Sequence, residues 1–373
     1  MIPRILSVFG TRPEAIKMAP VVKALEEEES LESLVAVSAQ HREMLDQVLN
    51  LYGIKPHFDL DVMKERQELS GLTCRVLWGV EEVIKETQPQ LVLVHGDTTT
   101  TFAAALAAFY QQVPVGHVEA GLRTGDPYHP FPEEINRRLG DLLSTLYFAP
   151  TEAAASSLKQ EGVDPERIYV TGNTVVDALL AVVRKRKNDF YHPLWEQVDF
   201  DHKKVILLTA HRRENWGKPL ENICRAVREV VEEYPQVEVV FPVHLNPLVQ
   251  ETASEILGQL KRVHLIEPLE YEAFAHLMEA STLILTDSGG IQEEAPSLGK
   301  PVLVLRQVTE RPEAVEAGTV RVVGTDPRRI REELCTLLDS STEYEMMSQA
   351  KNPFGDGRAA ERIVKIIREY MSS

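Results

Sequence analysis

Short apolar runs alternate with longer amphipathic segments along the first half of the chain. The amphipathic segments repeat apolar residues at helical spacing, as Ile16, Ala19 and Val22 do, whereas the apolar runs have the length of strands. This alternation predicts a parallel sheet that is covered by helices on both faces. The predicted strands are 5–9, 34–38, 91–94 and 113–118, and the predicted helices start at Pro13, pass through Met44, Val48 and Leu51, and cover 101–110.

The same alternation restarts after residue 203. A chain of 373 residues is longer than one core usually holds, so two domains of roughly 150–200 residues are expected. We therefore predict an α/β fold with two doubly wound, Rossmann-like domains that face each other across a cleft. The predicted strands of the second half are 204–208, 237–242, 283–286 and 302–305, and its predicted helices are 220–233, 274–280 and 291–298.

The predicted domain boundaries follow from where this rhythm stops and restarts. We place an N-terminal domain at 1–175, a linker region at 176–203, a C-terminal domain at 204–355 and a final helical segment at 356–373, which is free to cross back to the N-terminal domain. The linker contains a basic run at 184–187. Such a run is more typical of a solvated helix face than of a binding patch.

Charge and cysteine content narrow the classes of function. The formal net charge of −17 argues against a nucleic-acid-binding protein and against adhesion to an anionic membrane. The net charge does not exclude an anionic small-molecule ligand, because a few local cations can dominate the electrostatic potential of a cleft. The three cysteines form no CxxC pair, which excludes the usual zinc and disulfide patterns and fits the reducing cytoplasm. No apolar run approaches the ~18 residues of a membrane span.

The first strand–helix junction has the composition of a phosphate site. Gly10 follows the strand directly and allows a tight turn, and Pro13 suits a first helical turn. Arg12 and Lys17 flank a helix N-terminus, where the helix dipole disfavours cations unless an anion lies between them. The alternative is that both side chains face water, with Glu14 as a partner. Neither a Walker A loop nor a GxGxxG motif is present, so no nicotinamide cofactor is predicted.

Carboxylates follow two predicted strands of the first half. Asp97 ends one strand, Glu119 ends the next, and Glu133 and Glu134 precede a helix. Clustered carboxylates raise the pKa of at least one member and can then transfer protons near neutral pH. The alternatives are a helix cap for Asp97 and first-turn charges for Glu133 and Glu134. Neither DxD nor HExxH spacing occurs among these acids, so no metal is predicted.

The second half combines a histidine with a glycine-opened helix. His211 ends one predicted strand beside two arginines, and His244 is a weaker candidate of the same kind. Ser288, Gly289 and Gly290 follow another strand and can bind a diphosphate through backbone N–H groups. Glu294 can accept hydrogen bonds from a ribose diol, and Arg311 can supply a second cation. Together these residues predict a nucleotide-diphosphate site.

Ten motifs in order give the chain a family resemblance. It resembles the bacterial non-hydrolysing UDP-N-acetylglucosamine 2-epimerases, which have the two-domain glycosyltransferase-B fold. The resemblance covers nearly the whole chain. The motifs are FGTRPEAIKMAP (9–20), AQHREMLDQVL (39–49), VHGDTTTT (94–101), GHVEAGLRTGD (116–126), TGNTVVDALL (171–180), HRREN (211–215), PVHLNP (242–247), TDSGGIQEEAPSLGKPVL (286–303), TERPEAV (309–315) and NPFGDGRA (352–359).

This resemblance implies a reaction and a set of site residues. The reaction is reversible inversion of C2 of UDP-N-acetylglucosamine to give UDP-N-acetylmannosamine, by elimination of UDP to 2-acetamidoglucal and re-addition, without a cofactor. A glutamine contact of the family corresponds to Leu269 here, so side-chain recognition of uracil at that position is in doubt. The implied catalytic residues are Asp97, Glu119, Glu133 and His211, and the implied substrate contacts are Arg12, Lys17, His244, Phe274, Ser288, Gly289, Gly290, Glu294 and Arg311.

The resemblance also implies partners, and it leaves competing functions open. A second UDP-N-acetylglucosamine would bind as an activator near Gln40 and Glu43, and the chain would form a homodimer. The competing functions are a hydrolysing 2-epimerase, a glycosyltransferase of the same fold and a non-catalytic sugar-nucleotide sensor. Three candidate acids favour proton transfer at the sugar. Their order in the sequence does not assign one acid to each face of C2.

Overall fold

The computed structural model describes residues 2–39, 42–63, 68–185 and 192–372. Of the sequence predictions, Gln40 and the second half of the basic run, 186–187, lie outside the described residues. The chain divides into two compact units. Unit 1 comprises Met1–Ala178 together with Phe354–Ser373, and unit 2 comprises Leu179–Pro353.

Unit 1 contains a seven-stranded sheet whose described pairs are all parallel, in the order β3-β2-β1-β4-β5-β6-β7. Its strands are β1 (Arg4–Phe9), β2 (Glu32–Val37), β3 (Phe58–Asp59), β4 (Leu91–His95), β5 (Val115–Val118), β6 (Leu146–Ala149) and β7 (Ile168–Val170). Its helices are α1 (Arg12–Glu26), α2 (Arg42–Tyr52), α3 (Leu69–Thr87), α4 (Thr99–Tyr110), α5 (Glu133–Leu143), α6 (Glu152–Gln160) and the C-terminal helix α16 (Ala359–Met371), while α7 (Thr174–Lys185) follows β7.

Unit 2 contains a six-stranded parallel sheet in the order β10-β9-β8-β11-β12-β13. Its strands are β8 (Lys204–Thr209), β9 (Val237–Pro242), β10 (Val263–Ile266), β11 (Leu283–Thr286), β12 (Val302–Val304) and β13 (Val320–Val322). Its helices are α8 (Leu194–Gln197), α9 (Lys218–Glu233), α10 (Pro247–Leu257), α11 (Tyr271–Ala280), α12 (Gly289–Glu294), α13 (Pro312–Glu316), α14 (Pro327–Asp339) and α15 (Ser341–Ser348).

The two sheets confirm the prediction of an α/β fold with two doubly wound halves. The central strands are apolar on both faces because helices cover both sides: Ile5, Leu6, Val8 and Phe9 of β1 are fully buried. In each sheet the strand order reverses once, between β1 and β4 in unit 1 and between β8 and β11 in unit 2. Loops that follow strands at such a reversal are the usual binding positions of open parallel sheets.

Two predicted boundaries are wrong for reasons of proline chemistry. The helix predicted over 291–298 is the short helix α12 followed by a 3₁₀ turn at Ala295–Leu298. Pro296 has no N–H to donate to the carbonyl four residues earlier, so the α-helix ends before it. The strand predicted over 113–118 begins only at Val115, and Pro114 likewise cannot donate to a neighbouring strand. Over the described residues, no helix combines the length and apolarity that crossing a bilayer requires.

Candidate active site

The turn after β1 is fixed by a buried glutamate. Thr11 caps α1 in a capping box with Glu14, whose carboxylate accepts from the Thr11 backbone N at 2.7 Å and the Gly10 N at 3.1 Å. The same carboxylate accepts from Thr98 Oγ1 at 2.7 Å, and burial raises the pKa of Glu14. Only glycine fits at position 10, since a Cβ would lie 1.8 Å from Ser38 Oγ. Glu14 is therefore a structural residue of this turn. Pairing of Arg12 with Glu14, the alternative to a phosphate site, is absent from the described contacts of Glu14.

The two cations predicted at this turn have different surroundings. Arg12 is exposed to solvent. Lys17, one turn into α1, is largely buried, and its ammonium group contacts the carboxylate of Glu119. In the described structure Lys17 therefore neutralises a candidate catalytic acid, a contact that the sequence does not predict.

Glu119 lies in an unusual and well-anchored position after β5. Its backbone is in the left-handed region with φ of 66°, and its N–H donates to the Phe148 carbonyl at 3.0 Å. Besides Lys17, its Oε2 accepts from Asn173 Nδ2 at 3.0 Å and lies 3.8 Å from Nε2 of His95. The Glu119 carboxylate is thus held at the sheet edge by side chains from three other segments of unit 1.

Asp97 follows β4, the neighbouring strand. The guanidinium of Arg137 contacts its carboxylate, and Asn136 Nδ2 donates to its backbone carbonyl at 3.1 Å. A Cβ on Gly96, the residue before Asp97, would lie 3.8 Å from Oε1 of Glu119, so the two strand-end turns adjoin. The helix cap that was the alternative for Asp97 is instead Thr98.

The two glutamates that open α5 have different environments. Glu134 is fully buried, and its carboxylate accepts from the Thr124 and Gly125 backbone N–H groups at 3.0 and 3.3 Å. It therefore orders the preceding loop. Glu133 is half-buried, and its Oε2 is enclosed with no hydrogen-bond partner among the described residues. Glu133 remains a candidate for proton transfer, whereas Glu134 has a structural role.

Cations, rather than mutual repulsion, dominate the surroundings of the strand-end acids. The sequence predicts clustered carboxylates that repel each other. Instead Lys17 contacts Glu119 and Arg137 contacts both Asp97 and Glu134. Each of these three carboxylates therefore lies against a cation.

Two buried histidines behind these acids were not singled out from the sequence. Burial lowers the pKa of His95 to about 3, so its ring is neutral, and neither ring nitrogen has a hydrogen-bond partner among the described residues. His117 lies between Asp141 Oδ1 and the Gly96 carbonyl, at 2.7 Å from each. Burial alone would lower the pKa of His117, but the charge of Asp141 raises it above its ordinary value.

Asp141 joins the two turns that carry the candidate acids. Through His117 it reaches Gly96, and its Oδ2 accepts from the Gly121 N–H at 3.2 Å. Arg123 also lies 2.7 Å from this oxygen. Burial raises the pKa of Asp141, but His117 and Arg123 outweigh that effect and hold it below its usual range.

In unit 2, Asp287 organises the loop that follows β8. This fully buried carboxylate follows β11 and accepts from the backbone N–H groups of His211 and Arg212, each at 2.9 Å, and from Asn215 Nδ2 at 2.9 Å. It also lies 3.0 Å from Nδ1 of His211, whose side chain is half exposed. Burial raises the pKa of Asp287, but its hydrogen bonds with His211 and the loop lower it below its ordinary value.

Two arginines lie beside the predicted glycine-opened helix. Ser288 precedes α12, and the position that a Cβ would take on Gly289 lies 3.8 Å from the Arg311 guanidinium and 3.9 Å from that of Arg212. Arg311 also contacts Glu293. Nε of Arg212 is buried without a hydrogen-bond partner among the described residues. In the sequence Arg212 is only a neighbour of His211, and the structure brings it to Gly289 and Arg311.

The remaining predicted contacts are more dispersed within unit 2. Glu294, near the end of α12, accepts from the Tyr271 hydroxyl at 3.1 Å. Phe274 is half-buried on α11, one turn beyond Tyr271. His244 is exposed after β9, where its Nδ1 accepts from the Asn246 N–H at 3.1 Å. Over the described ranges, no group of three or more His, Cys, Asp or Glu side chains is arranged to hold a metal ion.

Comparison with known proteins identifies the family. The family model for UDP-N-acetylglucosamine 2-epimerases matches residues 23–368. The UDP-N-acetylglucosamine 2-epimerase of Bacillus subtilis is 56% identical over 362 residues, which cover 97% of this chain and 94% of the relative. That of Salmonella typhimurium is 55% identical over 375 residues, covering 99% of this chain and 100% of the relative. The crystal structure of UDP-GlcNAc 2-epimerase from Neisseria meningitidis bound to UDP-GlcNAc has a TM-score of 0.86 at 50% identity, over 98% of this chain and 100% of that chain. This chain therefore belongs to the UDP-N-acetylglucosamine 2-epimerase family.

Proposed function

We propose that this enzyme interconverts UDP-N-acetylglucosamine and UDP-N-acetylmannosamine without releasing a free sugar. The observation that carries the proposal is a pair of strand-end carboxylates, Asp97 and Glu119. They lie on adjoining turns, and each is in contact with a cation. The choice of substrate is supported by relatives, since the Neisseria meningitidis enzyme was crystallised with UDP-GlcNAc and that of Methanocaldococcus jannaschii with UDP-GlcNAc and UDP.

Residues of unit 2 bind the nucleotide in this proposal. The diphosphate contacts the backbone of Ser288, Gly289 and Gly290 and the guanidinium groups of Arg212 and Arg311, because bidentate guanidinium groups suit phosphate oxygens. Glu294 accepts from the ribose hydroxyls, and Phe274 and His244 complete the nucleotide contacts. Arg212 has a buried Nε with no hydrogen-bond partner among the described residues, which supports a role in binding a further acceptor.

The proposed chemistry is elimination followed by re-addition. A carboxylate takes the C2 proton, the C1–O bond to UDP breaks, and a C1=C2 double bond forms in 2-acetamidoglucal. A UDP oxygen then attacks C1 while a proton is delivered to the opposite face of C2. Two faces require two proton-transfer groups, and Asp97, Glu119 and Glu133 are the candidates.

Cations assist both halves of this sequence. Lys17 contacts the carboxylate of Glu119 and Arg137 contacts that of Asp97, so each cation fixes the position of a candidate base. Arg12, Arg212, Arg311 and His211 stabilise the charge that develops on the departing diphosphate. No redox step occurs, because the C2 carbon returns to its original oxidation state.

Proton NMR in heavy water tests this function. The purified protein is incubated with UDP-N-acetylglucosamine alone, and we expect both sugar nucleotides to accumulate deuterium at C2 while no free sugar appears. Product without deuterium would reject the elimination. Free N-acetylmannosamine together with UDP would identify a hydrolysing enzyme, and a requirement for an acceptor sugar would identify a transferase.

The family resemblance also supports two proposals on assembly and regulation. A second UDP-N-acetylglucosamine would bind near Glu43, which is exposed in the first turn of α2, and the chain would form a homodimer. If the activator binds there, we expect the initial rate to depend sigmoidally on substrate concentration, and we expect Glu43→Ala to abolish the sigmoidal shape.

For the dimer, we expect sedimentation equilibrium to give twice the monomer mass of 42.0 kDa.

A further inference from the structure

A buried carboxylate and a half-exposed histidine form a pair in unit 2 that the resemblance does not assign. Asp287 Oδ1 lies 3.0 Å from His211 Nδ1, and the carboxylate is fully buried whereas the imidazole side chain is 46% exposed. The same carboxylate accepts the His211 backbone N–H at 2.9 Å. The backbone and the ring of His211 are therefore anchored to the same buried group.

The hydrogen-bond chemistry of this pair fixes the position of one proton. Asp287 accepts from the backbone N–H groups of His211 and Arg212 and from the Asn215 amide. A carboxylate with so many donors around it is ionised and can only accept. Nδ1 of His211 must then carry hydrogen, which leaves Nε2 as the nitrogen that can exchange a proton with a substrate.

We propose that Asp287 is a positioning residue that holds His211 in the Nδ1–H tautomer and presents Nε2 to the diphosphate of the substrate. When the ring binds a second proton from solvent, Nε2–H donates to the UDP oxygen as the bond to C1 breaks, and Asp287 continues to accept from Nδ1–H. When UDP adds back, the same nitrogen remains a donor to the diphosphate until the new bond to C1 forms. This inference rests on the proposed function, in which His211 contacts the leaving group.

A purely structural role is the competing explanation, because Asp287 also ties down the loop over 211–215. The chain offers a matched control for that role. Asn215 Nδ2 donates to Asp287 at 2.9 Å and to the Leu305 carbonyl at 3.1 Å. Asn215→Ala therefore removes loop anchors but leaves the contact between Asp287 and the His211 ring in place.

The test combines nitrogen-15 NMR of the histidine rings with kinetics. The protein has 11 histidines, and His211→Gln assigns the His211 resonances as those that disappear. At alkaline pH we expect the wild-type ring to be protonated at Nδ1 and bare at Nε2. In Asp287→Asn the amide oxygen takes the place of Oδ2, which accepts from three donors. The amide Nδ2 then faces the ring and cannot accept from it, so we expect the ring proton to move to Nε2. A wild-type ring that carries its proton on Nε2 overturns the proposal, even if the variant does not fold.

The kinetic expectation separates positioning from loop anchoring. We expect Asp287→Asn to lower kcat by roughly 100-fold or more while the Kd for UDP changes by less than about threefold. Asn215→Ala is expected to keep the Nδ1–H tautomer and to retain most of kcat. An equal loss of kcat in both variants, or a loss of UDP affinity as large as the loss of kcat, overturns the proposal. If the wild type does not epimerise at all, the proposed function fails, and the tautomer measurement still decides the role of Asp287.

Discussion

One candidate catalytic residue of unit 1, Glu119, has a strained backbone conformation. Glu119 has a left-handed backbone, which costs a residue with a side chain on the order of 1 kcal/mol and persists only where surrounding contacts fix it. Those contacts are Lys17, Asn173 and the Phe148 carbonyl. Strain of this kind often accompanies function, which agrees with a role for the Glu119 carboxylate in the chemistry.

At this scale Asp97 offers a direct test of proton transfer. Asp97→Asn keeps the size of the side chain but removes the group that accepts a proton, so we expect kcat to fall by about 100-fold or more. UDP affinity should change little, because Asp97 is not among the proposed contacts of the nucleotide. Steady-state kinetics and calorimetric titration with UDP measure the two effects. Asp164→Asn is the control, since Asp164 is an exposed cap of a short turn, and near-normal turnover in Asp97→Asn would remove Asp97 from the mechanism.

His95 predicts a pH dependence of stability. Its folded pKa of about 3 lies below the ordinary value of 6.5, so between these values the unfolded chain binds a proton that the folded protein does not. The contribution of His95 to the free energy of unfolding is therefore complete above pH 6.5. As the pH decreases below this value, the contribution falls by about 1.4 kcal/mol per pH unit. We expect His95→Asn to flatten the decline of the urea midpoint between pH 6.5 and pH 4.

The control for this prediction is an exposed histidine of the same unit. His129→Asn makes the same substitution at a side chain that is 83% exposed, and it should leave the decline unchanged. If His95→Asn and His129→Asn follow the wild-type curve equally, the buried neutral state of His95 does not contribute to the acid sensitivity.

At the scale of elements, the apolar pattern predicted the long strands and the positions of their carboxyl ends. The locations of Asp97, Glu119, His211 and Ser288 followed from it, because parallel strands end at one edge of a sheet. The pattern did not predict the strands β3, β6, β7, β10 and β13, which are two to four residues long. Such short segments carry little periodicity, although the three-residue strand β12 lay within a predicted run.

The partners of the candidate acids were missed for a different reason. Asn173 lies 54 positions from Glu119, and Arg137 lies 40 positions from Asp97. A sequence pattern shows which residue ends a strand, whereas the side chain that reaches it from another element depends on packing. The same holds for Asp287, which follows β11 but organises the loop after β8.

The Asp141 network between β5 and α5 gives a prediction at this scale. Asp141→Ala leaves Arg123 and the His117 ring buried without their shared carboxylate, so we expect a loss of about 3–5 kcal/mol in the free energy of unfolding. Glu161→Ala is the matched control because Glu161 is the other carboxylate of Arg123, also at 2.7 Å, and is far more exposed. An exposed partner should cost under about 1 kcal/mol in urea denaturation. Equal losses in the two variants would show that burial of the Asp141 pair adds nothing.

At the scale of the whole molecule, both ends of the chain contribute to unit 1. Residues 354–373 group with that unit, and α16 packs against α1. The Ala360 N–H donates to Asp177 at 2.8 Å, and the Asn173 N–H donates to the Phe354 carbonyl at 2.6 Å. Since the side chain of Asn173 also donates to Glu119, the C-terminal segment supports a candidate acid that lies more than 200 positions earlier in the sequence.

This organisation predicts which unit a cavity in the C-terminal helix α16 will destabilise. Ile367 of α16 is fully buried, so Ile367→Ala should create a cavity that destabilises unit 1 by about 2–5 kcal/mol. Hydrogen–deuterium exchange should then accelerate in the segments of unit 1, including α1 and β1, and stay unchanged in the strands of unit 2. Lys365→Ala, an exposed change on the same helix, should alter neither. Faster exchange spread evenly over both units would mean that the two units unfold together, and that the C-terminal helix stabilises the whole chain rather than the domain it covers.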